Sequence, residues 1–383
     1  MGGHSLTDAG PLVILGATGS IGRQAIEVAE RLGRQVVALG ARQGSDGLVS
    51  LAERFPEARV VAAAPTNQEH AMLRDRLGSR YARGPEELEE LARTAAVVVN
   101  GIVGSAGLPA SVAALESGNR LALANKESLV AGGPVVLAAA ERGGGEIVPV
   151  DSEHSALFQC LQGEDLSSVT RLILTASGGP FRDRADLSDV TLGEALAHPT
   201  WNMGPRITID SSTLMNKAFE VIEAHLLFGI SYDAIDVVVH PQSIVHSMVE
   251  FADGSTKAHV GEPDMRVPIQ YAITYPDRAP GGERFDWSDR TLTFEKPDFD
   301  RFPLLGLGYD AGRAGGSAPA TMNAADEIAV QAFIDGRISY SMIATIVEMS
   351  LERMGVQAID TVADVLAIDT ESRNVAAEIA GSC

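Results

Sequence analysis

Cysteine and long apolar runs are both scarce in this 383-residue sequence, which contains only two cysteines. So few thiols exclude a disulfide framework and favour a reducing compartment. The longest uncharged run, residues 94–115, contains Asn100, Pro109 and three glycines, so it predicts a strand, a loop and a helix rather than a membrane span. The first six residues lack a basic-then-apolar signal, and Leu6 does not fit a myristoylation motif. We therefore expect a cytoplasmic protein.

Positive charge and aromatic side chains are also in short supply. Lys and Arg number 30 against 51 Asp and Glu, and the net charge of −21 disfavours binding to nucleic acid or anionic membranes. The stretch 171–220 is an exception, with five basic and six acidic residues, and it suits an anionic substrate better than the rest of the chain. Aromatic residues make up 5% of the chain beside 39 glycines. This mixture and the chain length favour an α/β protein of two or three domains.

A glycine-rich turn follows the first apolar segment. The segment Pro11–Leu15 predicts a buried strand, and a helix is expected to begin near Arg23. A glycine loop between a strand and a helix is typical of a turn that cradles a phosphate. A structural turn without a ligand is the alternative. The candidate cofactor contacts in this loop are Gly16, Thr18, Gly19, Ser20, Ile21 and Gly22.

The loop after the second predicted strand indicates which dinucleotide would bind. Proteins that bind NAD usually have an acidic residue here, which bonds the ribose hydroxyl. This sequence instead has Arg42, which suits the additional phosphate of NADP. A solvated loop arginine is the alternative.

Strand and helix patterns alternate through the first 150 residues and predict a parallel, doubly wound sheet. Two strand ends have residues suited to ligands: Gly101 opens a loop of small residues, and Asn125, Lys126 and Glu127 are polar. For either strand end, the start of a helix is the alternative. The predicted strands are Pro11–Leu15, Gln35–Leu39, Arg59–Ala63, Ala96–Asn100, Arg120–Ala124 and Glu146–Val150.

Two carboxylates end the last of these strands. In an extended chain, Asp151 and Glu153 point to the same side. Adjacent carboxylates repel one another unless a cation or a proton lies between them, and ligands that are all oxygen suit Mg²⁺ or Mn²⁺. The alternative is an acidic turn in which Asp151 or Ser152 caps a helix.

The near-neutral stretch contains several polar segments. Ser177 and the glycines after it predict an anion-binding turn. Residues 198–205, here called the flap segment, predict a mobile loop that lays Trp201 over a ligand, the alternative being a rigid loop with Trp201 in the core. The segment Ile207–Ser212 predicts a strand whose serines cap the next helix. That helix, Thr213–Leu227, would present Asn216, Lys217 and Glu220 on one face, either to a phosphate or as an internal ion pair.

The remaining sequence predicts three further parts. The segments Val237–Phe251 and Lys257–Val260 predict an antiparallel sheet in an α+β domain, and three periodic segments near the C-terminus predict a helical domain. We therefore expect a Rossmann-like domain over residues 1–150, a catalytic and dimerisation domain over 151–275, a connection over 276–316 and a helical domain over 317–383.

Ten segments together resemble the 1-deoxy-D-xylulose 5-phosphate reductoisomerase family. The resemblance implies NADPH-dependent conversion of 1-deoxy-D-xylulose 5-phosphate to 2-C-methyl-D-erythritol 4-phosphate in the non-mevalonate route to isoprenoid precursors. It also implies Mg²⁺ or Mn²⁺, with Co²⁺ as a substitute, and a homodimer. The matching segments are Gly16–Gly22, Asn100–Gly104, Ala124–Leu129, Pro149–His154, Ser177–Phe181, His198–Gly204, Asp210–Glu220, His240–Met248, Gly261–Arg266 and Asn323–Ala329.

The resemblance also implies roles for individual residues. It implies that Asp151, Glu153 and Glu220 are the metal ligands. It implies that catalysis depends on Lys126, Glu153, His154, Glu220 and His246. The implied substrate contacts are Lys126, Ser152, Glu153, Ser177, His198, Trp201, Met203, Ser211, Asn216, Lys217 and Glu220. The implied cofactor contacts outside the glycine loop are Arg42, Gly101, Asn125, Lys126, Glu127 and Gly204.

Two other functions are compatible with parts of the pattern. One is a different NADP-linked dehydrogenase, such as one acting on an amino-acid semialdehyde, which would not need the three carboxylates. The other is a dinucleotide-sensing binding protein without catalysis. Metal-dependent NADPH consumption with 1-deoxy-D-xylulose 5-phosphate would separate the three.

Overall fold

The computed structural model describes residues 10–201 and 203–382. The expectations for the first six residues, for Asn202 in the flap segment and for Cys383 fall outside this part of the chain. The described residues form two compact units. The first comprises residues up to Ser128, Pro134–Ser155 and Asp264–Glu283, and the second comprises Leu129–Gly133, Ala156–Pro263 and residues from Arg284 onward. The domain boundaries predicted at residues 150, 275 and 316 stay a prediction.

A seven-stranded parallel sheet forms the centre of the first unit. Its order is β4-β3-β2-β1-β5-β6-β7, so the direction of strand addition reverses at β1. The predicted parallel sheet is confirmed, with one more strand than expected. The strands are β1 (Leu12–Leu15), β2 (Val36–Ala41), β3 (Arg59–Ala62), β4 (Tyr81–Arg83), β5 (Val97–Asn100), β6 (Arg120–Leu123) and β7 (Glu146–Pro149).

The second unit contains a four-stranded sheet of order β11-β10-β8-β9. β10 is antiparallel to β8 and β11, but β8 and β9 are parallel. The expected antiparallel sheet is therefore mixed, because a helical segment separates β8 from β9 and returns the chain in the same direction. These strands are β8 (Val169–Ala176), β9 (Ile235–Val239), β10 (Val245–Phe251) and β11 (Thr256–Val260).

Helices cover the remaining regular structure of the described residues. Those beyond residue 300 include the predicted C-terminal helices, which are confirmed. In chain order they are α1 (Ser20–Arg31), α2 (Asp46–Arg54), α3 (Asn67–Leu77), α4 (Pro85–Ala92), α5 (Leu108–Glu116), α6 (Lys126–Gly143), α7 (Ser152–Leu161), α8 (Leu192–Ala195), α9 (Pro205–Ser212), α10 (Met215–Phe228), α11 (Arg266–Thr274), α12 (Pro303–Ala314), α13 (Ala318–Ile334), α14 (Met342–Met354) and α15 (Val362–Ser382).

Helix α12 lies within the segment predicted as a connection, so that prediction is wrong for residues 303–314. Two of its glycines allow close packing. A Cβ at Gly308 would lie 2.5 Å from Ala218 Cβ, and one at Gly312 would lie 2.6 Å from the Tyr232 ring. Close helix packing therefore outweighs the low helix propensity of glycine.

Within the described residues, every helix is too short or too polar to cross a bilayer.

Candidate functional site

The glycine loop of the first unit runs from β1 to α1 and has no room for side chains at two positions. Gly16 has φ +78°, and a Cβ there would lie 2.4 Å from the carbonyl oxygen of Gly101. A Cβ at Gly22 would lie 2.2 Å from the carbonyl oxygen of Gly16. Helix α1 begins at Ser20, earlier than expected, and Gly19 makes no side-chain capping bond. Helix α1 is therefore preceded by a close-packed glycine turn rather than by a capping side chain, as is typical of phosphate-binding turns.

The strand-order reversal brings other predicted cofactor contacts to the same sheet edge. β1 pairs with β2 on one side and with β5 on the other, so Gly40 and Asn100 both lie opposite Leu15. Arg42 is exposed directly after β2, and Gly101 follows β5. Ligands of doubly wound sheets bind at this reversal, outside the carboxyl ends of the strands.

Asn100 is a supporting residue for which sequence reasoning gave no individual role. Its amide nitrogen donates to the carbonyl oxygen of Gly107 at 2.9 Å and to Ser111 Oγ at 2.8 Å. Its Oδ1 accepts from the N–H of Ile102 at 3.1 Å. The side chain is fully buried and fixes the loop that contains Gly101. A single polar residue at the end of an all-valine strand was the available signal.

The polar group after β6 begins helix α6, and it also contacts the acid after β7. Asn125 caps α6 by accepting from the N–H of Ser128 at 3.1 Å, and it donates to Glu127 Oε2 at 3.0 Å. Lys126 Nζ, which is buried, donates to Asp151 Oδ2 at 2.8 Å. The predicted helix start and a specific charged contact therefore occur together.

Asp151 and Glu153 do not extend from a strand, so the expected strand-end geometry is wrong. β7 stops at Pro149 and α7 begins at Ser152, because Asp151 accepts the N–H of Glu153 at 3.2 Å in a cap-like turn. Asp151 Oδ1 also accepts from His154 Nδ1 at 3.0 Å. Burial favours a higher pKa for Asp151, but Lys126 and His154 outweigh it and hold the pKa well below its usual range.

Three predicted substrate contacts come together in the second unit around one imidazole. His198 Nε2 lies 3.1 Å from both Ser177 Oγ and Ser211 Oγ. Its Nδ1 accepts the N–H groups of Thr200 at 3.1 Å and Trp201 at 2.9 Å. Nδ1 therefore has no proton, and the neutral ring carries its proton on Nε2. Burial lowers the pKa of His198, which favours this neutral form.

The backbone around this group is equally close-packed. Gly178 and Gly179 have φ values of +83° and +65°, and the N–H of Gly179 donates to Ser177 Oγ at 3.2 Å. A Cβ at Gly179 would lie 2.9 Å from the carbonyl oxygen of Ser211. The glycines after Ser177 thus allow the two serines to approach one another, consistent with the predicted anion-binding turn.

The segment Ile207–Ser212 forms the helix α9, so the predicted strand is wrong. Gly204 is the N-cap and Pro205 occupies the first turn, a typical helix start that β-branched residues obscured. Thr208 Oγ1 bonds the carbonyl oxygen of Gly204 at 2.9 Å, within the helix. The serine pair therefore ends α9 and does not cap α10, because Leu214, with φ +60°, separates the two helices.

The polar residues of α10 contact one another, as their spacing predicted. Asn216 Nδ2 donates to Glu220 Oε1 at 2.6 Å, and Lys217 Nζ bonds Glu220 Oε2. Glu220 is fully buried and Lys217 is nearly so. The internal ion pair proposed as an alternative is therefore present, but in the interior rather than on a solvated face.

The other predicted residues of the second unit differ in burial. Trp201 and Met203 are half-buried, so Trp201 is not a core side chain, and Gly204 is exposed. His246, on β10, is buried. Burial, with a further contribution from His259, lowers the pKa of His246 to about 4, so its ring is neutral at pH 7.

Comparisons with known proteins identify the family. Residues 12–133 match the family model described as 1-deoxy-D-xylulose 5-phosphate reductoisomerase. Residues 147–228 match the model of the 1-deoxy-D-xylulose 5-phosphate reductoisomerase C-terminal domain, and residues 260–375 match that of the DXP reductoisomerase C-terminal domain. The reductoisomerase of Heliobacterium modesticaldum is 51% identical over 89% of this chain and 90% of its own, and that of Chloroherpeton thalassium is 46% identical over 94% and 96%.

Solved structures of reductoisomerases are also similar to this chain. The Zymomonas mobilis reductoisomerase in complex with NADPH has a TM-score of 0.91 and 42% identity, covering 97% of this chain and 99% of its own. A reductoisomerase in complex with NADPH, fosmidomycin and magnesium has a TM-score of 0.90 and 36% identity, covering 97% and 98%. The chain therefore belongs to the 1-deoxy-D-xylulose 5-phosphate reductoisomerase family.

Proposed function

We propose that this chain catalyses the NADPH- and divalent-metal-dependent conversion of 1-deoxy-D-xylulose 5-phosphate to 2-C-methyl-D-erythritol 4-phosphate. The observation that carries this proposal is the match to reductoisomerases, at 46–51% identity over about nine-tenths of the chain. Membership also supports a place in the non-mevalonate route, a homodimer and a cytoplasmic location.

NADPH would bind at the strand-order reversal of the first unit. The glycine loop fits it, because Gly16 and Gly22 leave no room for a side chain and the α1 N-terminus has no side-chain cap. We assign Asn125, Lys126 and Glu127 to the junction between the cofactor and the substrate, and Gly101 and Gly204 are further proposed cofactor contacts. The remaining contacts would be Thr18, Gly19, Ser20, Ile21 and Arg42.

A divalent metal would be held by Asp151, Glu153 and Glu220. Ligands that are all oxygen fit Mg²⁺ or Mn²⁺, and Co²⁺ is an accepted substitute. Lys126 and His154 keep Asp151 ionised, which a metal ligand requires. The donor set therefore fits the metal that the neighbouring structures contain.

The substrate phosphate would bind to Ser177, Ser211, Asn216 and Lys217. The two hydroxyls are already held on His198, whose neutral ring adds no second positive charge. Lys217 supplies the positive charge, and Asn216 supplies amide N–H groups. The other proposed substrate contacts are Lys126, Ser152, Glu153, His198, Trp201, Met203 and Glu220.

When bound, the metal supplies a Lewis acid for substrate oxygens and NADPH supplies reducing equivalents. The residues of the chain orient the reacting groups and exclude water. His154 Nδ1 donates to Asp151 and fixes the carboxylate. Glu153 would move protons at its carboxylate, and His246 stays neutral. Trp201 would exclude water from the substrate.

The proposed function is tested by following NADPH absorbance with purified protein and 1-deoxy-D-xylulose 5-phosphate. We expect consumption with Mg²⁺ or Mn²⁺, loss of turnover after exhaustive chelation and recovery when metal is restored. Fosmidomycin, which a neighbouring structure contains, should inhibit. Equal turnover after chelation would exclude the metal role, and activity only with a semialdehyde would favour the rival dehydrogenase.

Replacing Arg42 by alanine is expected to reduce the preference for NADPH over NADH. Loss of a charge-assisted contact costs about 1.5–3 kcal/mol, roughly ten- to hundredfold in the ratio of kcat/KM values. Kinetics with both nucleotides measure this ratio. Arg54→Ala is the matched control, because Arg54 is an exposed arginine of the same unit that pairs with Glu30. An unchanged ratio in Arg42→Ala would remove Arg42 from the cofactor site.

A further inference from the structure

A buried charge cluster joins α9 to α13 in the second unit. Arg206, near the start of α9, donates from Nη2 to Asn323 Oδ1 at 3.0 Å and from Nη1 to Glu327 Oε2 at 3.0 Å. The same Nη2 lies 3.5 Å from Asp326 Oδ2, and Nε lies 3.6 Å from Asp210 Oδ2. Because Asp326 and Glu327 lie one helical turn after Asn323, one guanidinium contacts a single face of α13.

The cluster is too deeply buried to be an ordinary surface network. The Asp326 side chain is fully buried, and that of Arg206 is 17% exposed. Burial raises the pKa of Asp326 to about 6, although the charge of Arg206 acts in the opposite direction. Arg373 extends the cluster by donating to Glu327 at 2.9 Å and to Asp369 at 2.6 Å. Buried carboxyl groups of this kind need a charged partner, and Arg206 supplies it from another helix.

A hydrogen bond also holds the other end of helix α9, where the proposed phosphate contact Ser211 lies. Tyr340 donates its hydroxyl proton to the carbonyl oxygen of Ser212 at 2.7 Å, in the interior of the unit. The preceding residue, Ser211, lies 3.1 Å from His198 Nε2. The position of the Ser211 hydroxyl therefore depends on how both ends of α9 are attached.

We propose that Arg206 is a positioning residue for phosphate recognition. Bound to Asn323 and Glu327, it holds α9 in the position at which Ser211 meets His198 and the substrate phosphate. The C-terminal helices would thus contribute to substrate affinity without contacting the substrate. This inference rests on the proposed phosphate-binding role of Ser211.

The test is Arg206→Met, which keeps an unbranched but shorter side chain and removes its charge and donors. We expect the KM for 1-deoxy-D-xylulose 5-phosphate and the Kd of fosmidomycin to rise about tenfold or more, because small displacements of positioning groups are costly. The KM for NADPH should change by less than about twofold. Arg313→Met is the matched control: Arg313 forms an exposed pair with Asp233, and such pairs contribute little, so all three constants should stay within about twofold.

A second experiment tests the same proposal by changing a residue of α13 instead of Arg206. Asn323→Ala should raise the Kd of fosmidomycin, measured by calorimetry, and the double variant with Arg206→Met should bind no more weakly than Arg206→Met alone. This non-additivity is specific to a shared contact, and it does not require Arg206→Met to be as stable as the wild type.

The outcomes separate the two proposals. If the wild-type protein neither turns over the substrate nor binds fosmidomycin, the proposed function is wrong. If the wild type does both and Arg206→Met only lowers the melting temperature, Arg206 has a structural role alone and the inference is overturned. An equal rise in both KM values would also overturn it.

Discussion

Replacing Glu220 by glutamine is expected to abolish most turnover while NADPH still binds. Glutamine keeps the shape of the side chain but removes the negative charge assigned to the metal. A Lewis acid contributes several kcal/mol to a reaction of this kind, so a misbound metal should lower kcat by about a hundredfold or more. NADPH affinity, measured by fluorescence, should be nearly unchanged, because the proposed glycine-loop contacts lie in the first unit.

The buried surroundings of Glu220 make the control important. Asn216 and Lys217 both donate to its carboxylate, so glutamine also disturbs two proposed substrate contacts. Titration with Mn²⁺ separates the effects, because a lost ligand raises the metal concentration needed for half-maximal rate. Glu250→Gln removes a carboxylate that pairs with Arg171 on the sheet and should leave turnover intact. Near-normal turnover in Glu220→Gln would contradict the metal assignment.

Adding one methyl group at Gly22 is expected to weaken NADPH binding strongly. The new Cβ would lie 2.2 Å from the carbonyl oxygen of Gly16 and 2.6 Å from Ala17 Cα, so the backbone of the loop must move. Overpacking of this kind costs about 1–3 kcal/mol, which is roughly five- to 150-fold in the dissociation constant if the cost falls on the bound loop. Fluorescence titration with NADPH measures the constant directly.

Gly47→Ala is the matched substitution in the same unit. Gly47 is exposed within α2, and the nearest atom to a new Cβ is Ser45 Oγ at 3.6 Å. Alanine favours helix, so this variant should bind NADPH normally and be slightly more stable. Normal NADPH affinity in Gly22→Ala as well would show that the loop does not hold the cofactor.

Much of the first unit could be predicted because its signals are local. Valine-rich strands, a glycine loop and a regular alternation with helices identify a parallel sheet without knowledge of any distant contact. Strand β4 was missed because it has only three residues, Tyr81–Arg83, and two of them are polar or charged. It pairs with β3 through backbone atoms, which leave no pattern in the sequence.

The second unit was harder to predict because distant contacts decide its structure. Ile207 and Ile209 suggested a strand, yet the segment is helical, with Gly204 and Pro205 as its start. The burial of Lys217 and Glu220 could not be predicted from the sequence either, since a charged pair at helical spacing is usually solvated. The contact between Lys217 and Glu220 was therefore predicted from its spacing, and its burial was not.

The bonding around Ser177 decides the direction in which its hydroxyl proton points. Its oxygen accepts from the Gly179 N–H and lies within hydrogen-bond distance of the protonated Nε2 of His198. When the Nε2 proton is directed to Ser177 rather than to Ser211, which lies at the same 3.1 Å, the Ser177 oxygen has only its own proton left to offer to a ligand. In that arrangement we expect the Ser177 hydroxyl to favour oxyanions, which only accept hydrogen bonds, over cations and other donors. A fully ionised phosphate should bind more tightly than its protonated form, so affinity should rise with pH through the second ionisation of the phosphate.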